Sequence, residues 1–311
     1  MKKNEYFIGS TSVIKLPELD LNDFKLTQLL PNLNKKVLKK HSDWMDDRIY
    51  DAKSDLVFLS IHTWVVHHNG KIILIDTGAG NKKDRGNLKV LDHLHTPYLK
   101  RLKAIGVAPE DVDYILLTHI HADHVGWNTT LKDDKWVPTF PNAIVICSDM
   151  EWRYGAALKA GDEAAINLLR KKAGLGEPIR IPVSGVFTDS MKPIKEAGLL
   201  QLIAIDGTEI LEGVRFLPTP GHSICHASIS ISSGGEEGIF GGDIVHHPFE
   251  LYDTNLTSMF CEFPEAARSS RLQIAAMVAD HKALFFSSHF PESSAGNIFK
   301  HNENFGWQFI E

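Results

Sequence analysis

The segment Thr118–Gly126 (THIHADHVG) constrains this chain more than any other stretch of its 311 residues. Three histidines and an aspartate follow one another at the end of the apolar run VDYILL (Val112–Leu117). Side chains alternate along an extended backbone, so His119 and His121 point to one side. Asp123 and His124 come after the chain has begun to turn and address a neighbouring position. A single metal ion rarely takes more than three or four protein ligands. One short peptide already offers that many, so two ions are the economical reading.

Further ligands are then expected at other strand ends, and three candidates lie there. His222 follows VRFLPTPG, Asp243 follows GIFGG, and His289 follows ALFFSS. Each donor sits just past an apolar run, in most cases beside glycine, where the chain can turn tightly and aim a side chain into a cleft. Upstream, LVFLSIHTWVV and KIILID flank the turn HHNG, and Asn69-Gly70 predicts a hairpin. Helices are expected over 91–106, over 162–173 with Gly174 as the stop, in a short piece near 192–197, and over 264–280. Strands fall in two groups with helices after each. That order predicts an α+β fold, a four-layer αββα sandwich. Residues 1–54 are expected as an N-terminal arm packed on the core, with Lys35–Lys40 (KKVLKK) as a solvated helix face, and 55–311 as the domain that carries these donors.

Bulk properties exclude several classes. A net charge of -6 argues against a nucleic-acid partner, which calls for clustered Lys and Arg against phosphate. No run reaches the roughly 18 apolar residues that cross a bilayer, and the N-terminus lacks a signal-peptide apolar block, so a cytoplasmic location without membrane association is expected. Cys147, Cys225 and Cys261 are widely spaced and read as free thiols.

These blocks together resemble the metallo-β-lactamase superfamily of metal-dependent hydrolases: His119, His121, Asp123 and His124 as HxHxDH, His222 in PTPGH, Asp243 in GGD, His289 in SSHF, and the strand-end turn LIDTG at Leu74–Gly78. The similarity spans about residues 55–295. It implies that His119, His121 and His222 hold one ion, that Asp123, His124 and His289 hold the other, and that Asp243 bridges them. Zinc leads on donor chemistry, and Mn, Fe or Co suit the same donors. Such a pair lowers the pKa of a bridging water from 15.7 toward roughly 7, supplying hydroxide for attack on a carbonyl or phosphoryl centre.

Departures from relatives narrow the expectation. An aspartate at 243 argues against antibiotic hydrolysis, and a histidine at 121, where flavodiiron oxidoreductases carry glutamate, lowers an iron-dependent oxidoreductase reading. GGDIVHHPFE and SSHFP resemble the branch of methyl parathion hydrolase and the larger N-acyl homoserine lactonases. The resemblance therefore implies a binuclear hydrolase of a small ester or lactone, with phosphotriesterase activity as the alternative, a small-molecule substrate as the partner, and a homodimer as a family habit. Compact lactonases place a substrate-assisting tyrosine three residues after the bridging aspartate. Here that position is His246, which joins Asp123 as a candidate catalytic group, with packing in the adjoining turn as the competing role. Trp64, Trp127, Phe249 and Phe260 are candidates for either pocket wall or core, Asp76 and His226 for buried supporting groups, and His67-His68 for solvent.

Overall fold

The computed structural model describes residues 4–33, 47–183 and 185–310. The KKVLKK segment lies outside them. Strands β1 (Glu5–Ile8), β2 (Thr11–Lys25), β3 (Tyr50–Asp51), β4 (Leu56–His68), β5 (Lys71–Ile75), β6 (Tyr114–Leu116), β9 (Ile144–Ser148) and β10 (Leu200–Ile203) form one sheet, ordered β1-β2-β4-β5-β6-β9-β10 with β3 on β4. A small ribbon, β7 (Thr129–Lys132) with β8 (Lys135–Pro138), stands apart. The second sheet runs in sequence order through β11 (Glu209–Leu211), β12 (Val214–Pro218), β13 (Ala227–Ser233), β14 (Glu236–Phe240), β15 (Leu284–Phe286), β16 (Ala295–His301) and β17 (Asn304–Phe309).

Period-two alternation sorts the apolar side chains of the first sheet into two cores. Ile73, Ile75, Leu116 and Ile146 face the second sheet, where they meet Phe216, Ile229, Ile231, Phe240 and Phe286. Their neighbours Leu74, Ile115 and Val145 face outward onto Tyr98 and Leu102 of a helix at Tyr98–Ala104 and onto Trp152 of another at Asp149–Ala160. On the far side, Ile239 and Phe285 pack against Ile274, Ala275 and Val278 of the helix Pro264–His281. The molecule is the expected αββα sandwich.

Local chemistry accounts for the boundaries. Asn69 and Gly70 take positive φ (47° and 73°), the two-residue loop that matches the twist of β4 and β5. The helix expected over 91–106 is shorter and begins only at Tyr98, because Pro97 has no N–H to donate and the segment before it winds into a single 3-10 turn at Lys89–Leu91. Asp162 caps Glu163–Ala173 through the Ala165 N–H, and Gly174 in the left-handed region ends it. The helix Asp149–Ala160 and strands β16 and β17 were not foreseen. His68, expected in solvent, is buried between Thr11 Oγ1 (2.6 Å) and the Glu212 carbonyl (2.7 Å). Residues 5–25, expected within an arm, form β1 and β2, of which β2 pairs with β4 and β1 with β2, and they give Tyr6, Ile8 and Val13 to the inter-sheet core.

Strand direction gathers the chemistry at one edge. Parallel pairing of β5 with β6 puts Asp76 beside Thr118 and the segment His119–His124. Parallel pairing of β14 with β15 does the same for Asp243 and His289. Two antiparallel steps, β12 to β13 to β14, return β12 to the direction of β14, so His222 emerges at that edge as well.

Trp64, a candidate for the pocket wall, instead lies between the sheets, edge-on to Phe286 at 5.0 Å, with its indole N–H on the Ser287 carbonyl at 3.2 Å. Trp64→Ala should destabilise the fold by about 3–5 kcal/mol. Chemical denaturation measures this, and a loss below about 1 kcal/mol contradicts the packing described.

Candidate metal centre

The turn after β6 orients the first donors. Thr118 donates through its N–H and its hydroxyl to the two oxygens of Asp76, each at 2.8 Å, and its hydroxyl also meets His119 Nδ1 at 2.9 Å. Asp76 Oδ2 then takes His124 Nδ1 at 2.8 Å. One buried carboxylate, in the left-handed region (φ 54°), thus turns two imidazoles so that their Nε2 atoms face inward. His121 is held from its other nitrogen, with Nε2 3.1 Å from Glu262 Oε1, so Nδ1 points inward and comes 2.8 Å from His222 Nε2. His289 is fixed by Nδ1 on the Ser60 carbonyl at 3.1 Å.

The sequence candidates converge. Ligand atoms of His119, His121 and His222 lie within 4.8 Å of one another, as do those of Asp123, His124 and His289. Asp243 stands between the groups: Oδ2 is 3.2 Å from His222 Nε2 and 3.9 Å from His119 Nε2, while Oδ1 is 3.0 Å from His289 Nε2 and 3.2 Å from His124 Nε2. Asp123 Oδ2 lies 3.8 Å from both His124 Nε2 and His289 Nε2, and with 22% exposure its side chain is the most open of the set. His246 Nε2 is 3.2 Å from Asp243 Oδ2, and its ring stacks on His289 at 5.4 Å. His246 also lies within ligand distance of Asp243 and His289, so geometry allows it a place beside the donors.

Hydrogen bonds do not satisfy this cluster. His119 Nε2, His124 Nε2, Asp243 Oδ1 and both ring nitrogens of His246 are buried without a hydrogen-bond partner. Orphaned buried polar atoms cost about 1–3 kcal/mol each, and several of them aimed at a common point fit cations that need imidazole and carboxylate donors. The electrostatics agree. Burial pushes the Asp243 carboxyl up, but His124, His289, His222 and His246 hold its pKa well below the usual carboxylate range. Burial would depress His124, and Asp243, Asp76 and Asp123 override it and raise its pKa.

Supporting groups surround the donors. Burial lowers His226 to about 3, which keeps it neutral, and its Nε2 accepts the Asp243 N–H at 2.9 Å while Nδ1 meets Thr219 Oγ1 at 2.9 Å. Gly242, at φ 58°, leaves room for that ring, since a Cβ there would collide with His226 Nε2. The His246 and His247 N–H groups donate to Glu250, which pairs with buried Arg271 at 3.0 Å. Asp76 and His226 take the supporting roles read from sequence. Glu262 was missed: it sits in CEFP, a stretch without period or motif, and only tertiary folding brings it to His121. Of the aromatic candidates, Phe260 lines the cleft beside the metal centre. Trp127 is buried, stacked on Tyr98 and donating to Glu18 Oε1 at 2.6 Å, and Phe249 belongs to the core.

Comparison with known proteins agrees with this architecture. A probable metallo-hydrolase of Mycobacterium tuberculosis is 24% identical over 200 residues, covering 61% of this chain and 58% of its own length; a Mycobacterium bovis relative matches equally. The chain thus spans less than two thirds of the curated relatives it matches. Among solved structures, the hydrolase AbOPH of the β-lactamase superfamily superposes with a TM-score of 0.74 at 25% identity, over 99% of this chain and 97% of its own. AidC, a dizinc quorum-quenching lactonase in complex with an N-acyl homoserine product, shares the fold with a TM-score of 0.71 at 22% identity, covering 99% and 98%. The model of the metallo-β-lactamase superfamily matches residues 56–289, the span that contains every donor described above. The chain belongs to the metallo-β-lactamase superfamily.

Proposed function

We propose that the protein hydrolyses a small ester or lactone at a binuclear centre, with zinc as the leading metal. His119, His121 and His222 would hold one ion, and Asp123, His124 and His289 the second, with Asp243 shared between the two sets. The observation that carries this reading is the division of Asp243: Oδ2 faces His222 and His119, and Oδ1 faces His289 and His124. A carboxylate serving one ion does not need each oxygen turned to a separate histidine set. When bound, two divalent ions supply hydroxide at neutral pH and an electrophile for the developing oxyanion.

The chain's own residues divide the remaining work. Asp123, the most open donor, lines the cleft and is placed to take the proton of the attacking water. His246 also lines the cleft with its ring nitrogens free of protein hydrogen bonds, so its imidazole can hold the substrate carbonyl or protonate the leaving oxygen. The apolar walls of this cleft suit a small organic ester and limit water around the reacting atoms. The lactonase AidC, seen with an opened lactone product, supports the substrate class.

Removal of the bridge is the first test. Loss of a group supporting a ligand already costs about 10–100-fold, so Asp243→Ala should lose bound metal and at least about 100-fold in kcat/KM together. Full activity in a metal-depleted variant contradicts the mechanism. His246→Phe should lower kcat by about 100-fold or more while metal content stays at the wild-type level; unchanged kinetics assign His246 to packing. Substrate class is read from kcat/KM values of the zinc-loaded protein on lactones, aryl esters and phosphotriesters. Esters or lactones should lead, and a phosphotriester preferred by about tenfold or more overturns the assignment.

A further inference from the structure

The cleft beside the metal centre is walled mainly by apolar side chains, among them Leu21, Phe24, Leu88, Val183 and Phe260. Among the described residues, Arg180 is the one Lys or Arg that joins this lining. Its contacts leave its charge unneutralised. Nη1 donates to the Met259 carbonyl at 3.3 Å, and the guanidinium carbon lies 5.4 Å from the centroid of Phe260. Five other arginines pair with acids, Arg85 with Asp189, Arg271 with Glu250, Arg153 with Asp149, Arg170 with Glu177 and Arg215 with Glu209, while Arg101 and Arg268, which lie outside the cleft lining, donate to backbone carbonyls. No carboxylate pairs with Arg180 among the described residues. The carboxylates that line the cleft, Asp123 and Asp243, belong to the metal centre.

Backbone bonds fix the segment that carries Arg180 to the centre. The Ile179 N–H donates to the Glu262 carbonyl at 2.8 Å, and the Glu262 N–H donates to the carbonyl of the ligand His222 at 2.9 Å. The backbone next to Arg180 is therefore tied through Glu262 to His222, and among the described residues the guanidinium makes one hydrogen bond, to the Met259 carbonyl. A planar guanidinium matches a carboxylate with two parallel hydrogen bonds, and apolar surroundings strengthen that pair relative to water.

Resting on the hydrolase reading above, we propose that Arg180 is a specificity-determining residue that selects substrates carrying a carboxylate away from the scissile bond. The substrate class is then a monoanionic ester or lactone, with its apolar stem along the cleft wall, its reacting carbonyl at the metal centre and its free carboxylate on Arg180.

Matched probes test this on the zinc-loaded protein. The 4-nitrophenyl monoester of glutaric acid is compared with 4-nitrophenyl valerate, and the corresponding non-cleavable anilides are titrated calorimetrically. The wild type should favour the anionic member of each pair by about tenfold or more, the range of a charge-assisted hydrogen bond. Arg180→Gln should bring both ratios to about one, through KM more than kcat for the esters, and Arg180→Lys should restore part of the preference. The proposal is overturned if the wild type favours the neutral probes, or if Arg180→Gln keeps the anionic preference, which would then come from carboxylate bound at the metals. Failure of both esters to react, with anilide selectivity intact and dependent on Arg180, removes the hydrolase reading and leaves the anion site standing.

Discussion

The Asp243 carboxylate, buried among the imidazoles of His119, His124, His222, His246 and His289, is the constraint around which this molecule is arranged. Removing so many polar atoms from water without hydrogen-bond partners costs far more than ordinary core formation returns at one spot. The cluster makes physical sense as the inner lining of a cation site, where metal binding offsets the desolvation and becomes part of the folding free energy. Strand topology serves this end, since parallel neighbours and paired antiparallel steps deliver the donors of both sheets to a single edge.

Rigidity around the donors comes from buried side chains outside the donor set. Asp76 turns His124 and, through Thr118, His119; Glu262 turns His121; His226 holds the backbone of Asp243. Glu18 of β2 extends the scaffold by accepting the N–H groups of Ala79 and Gly80 at 2.7 and 3.2 Å and the indole of Trp127. The N-terminal strands therefore fix the loop that follows β5, next to Asp76. A site held from this many directions is pre-organised, which suits electrostatic stabilisation of a developing oxyanion.

The seven proposed ligands were legible in sequence because each ends an apolar strand beside a turn, a local pattern of residue types. The sandwich was legible for the same reason: alternation in Ile73–Ile75, Ile115-Leu116 and Val145-Ile146 carries both cores. What escaped is tertiary in origin. Glu262 meets His121 across 141 residues, Glu18 meets Trp127 across 109, and β1 with β2 complete a sheet whose other strands start some thirty residues later. His68 ends β4 next to a turn that looks solvated until Glu212, in the loop between β11 and β12, covers it. No periodicity announces such pairings. Arg180 is similar, since it sits in GEPIRIP, a stretch without period or motif, and only the fold turns it into cleft wall.

The central claim, two ions bridged by Asp243, is tested most directly by anomalous X-ray diffraction at the zinc edge from crystals of the zinc-loaded protein. The account predicts two peaks about 3.5–4 Å apart, one among His119, His121 and His222 and the other among Asp123, His124 and His289, with one Asp243 oxygen on each. A single peak, or a second ion away from these residues, would contradict it.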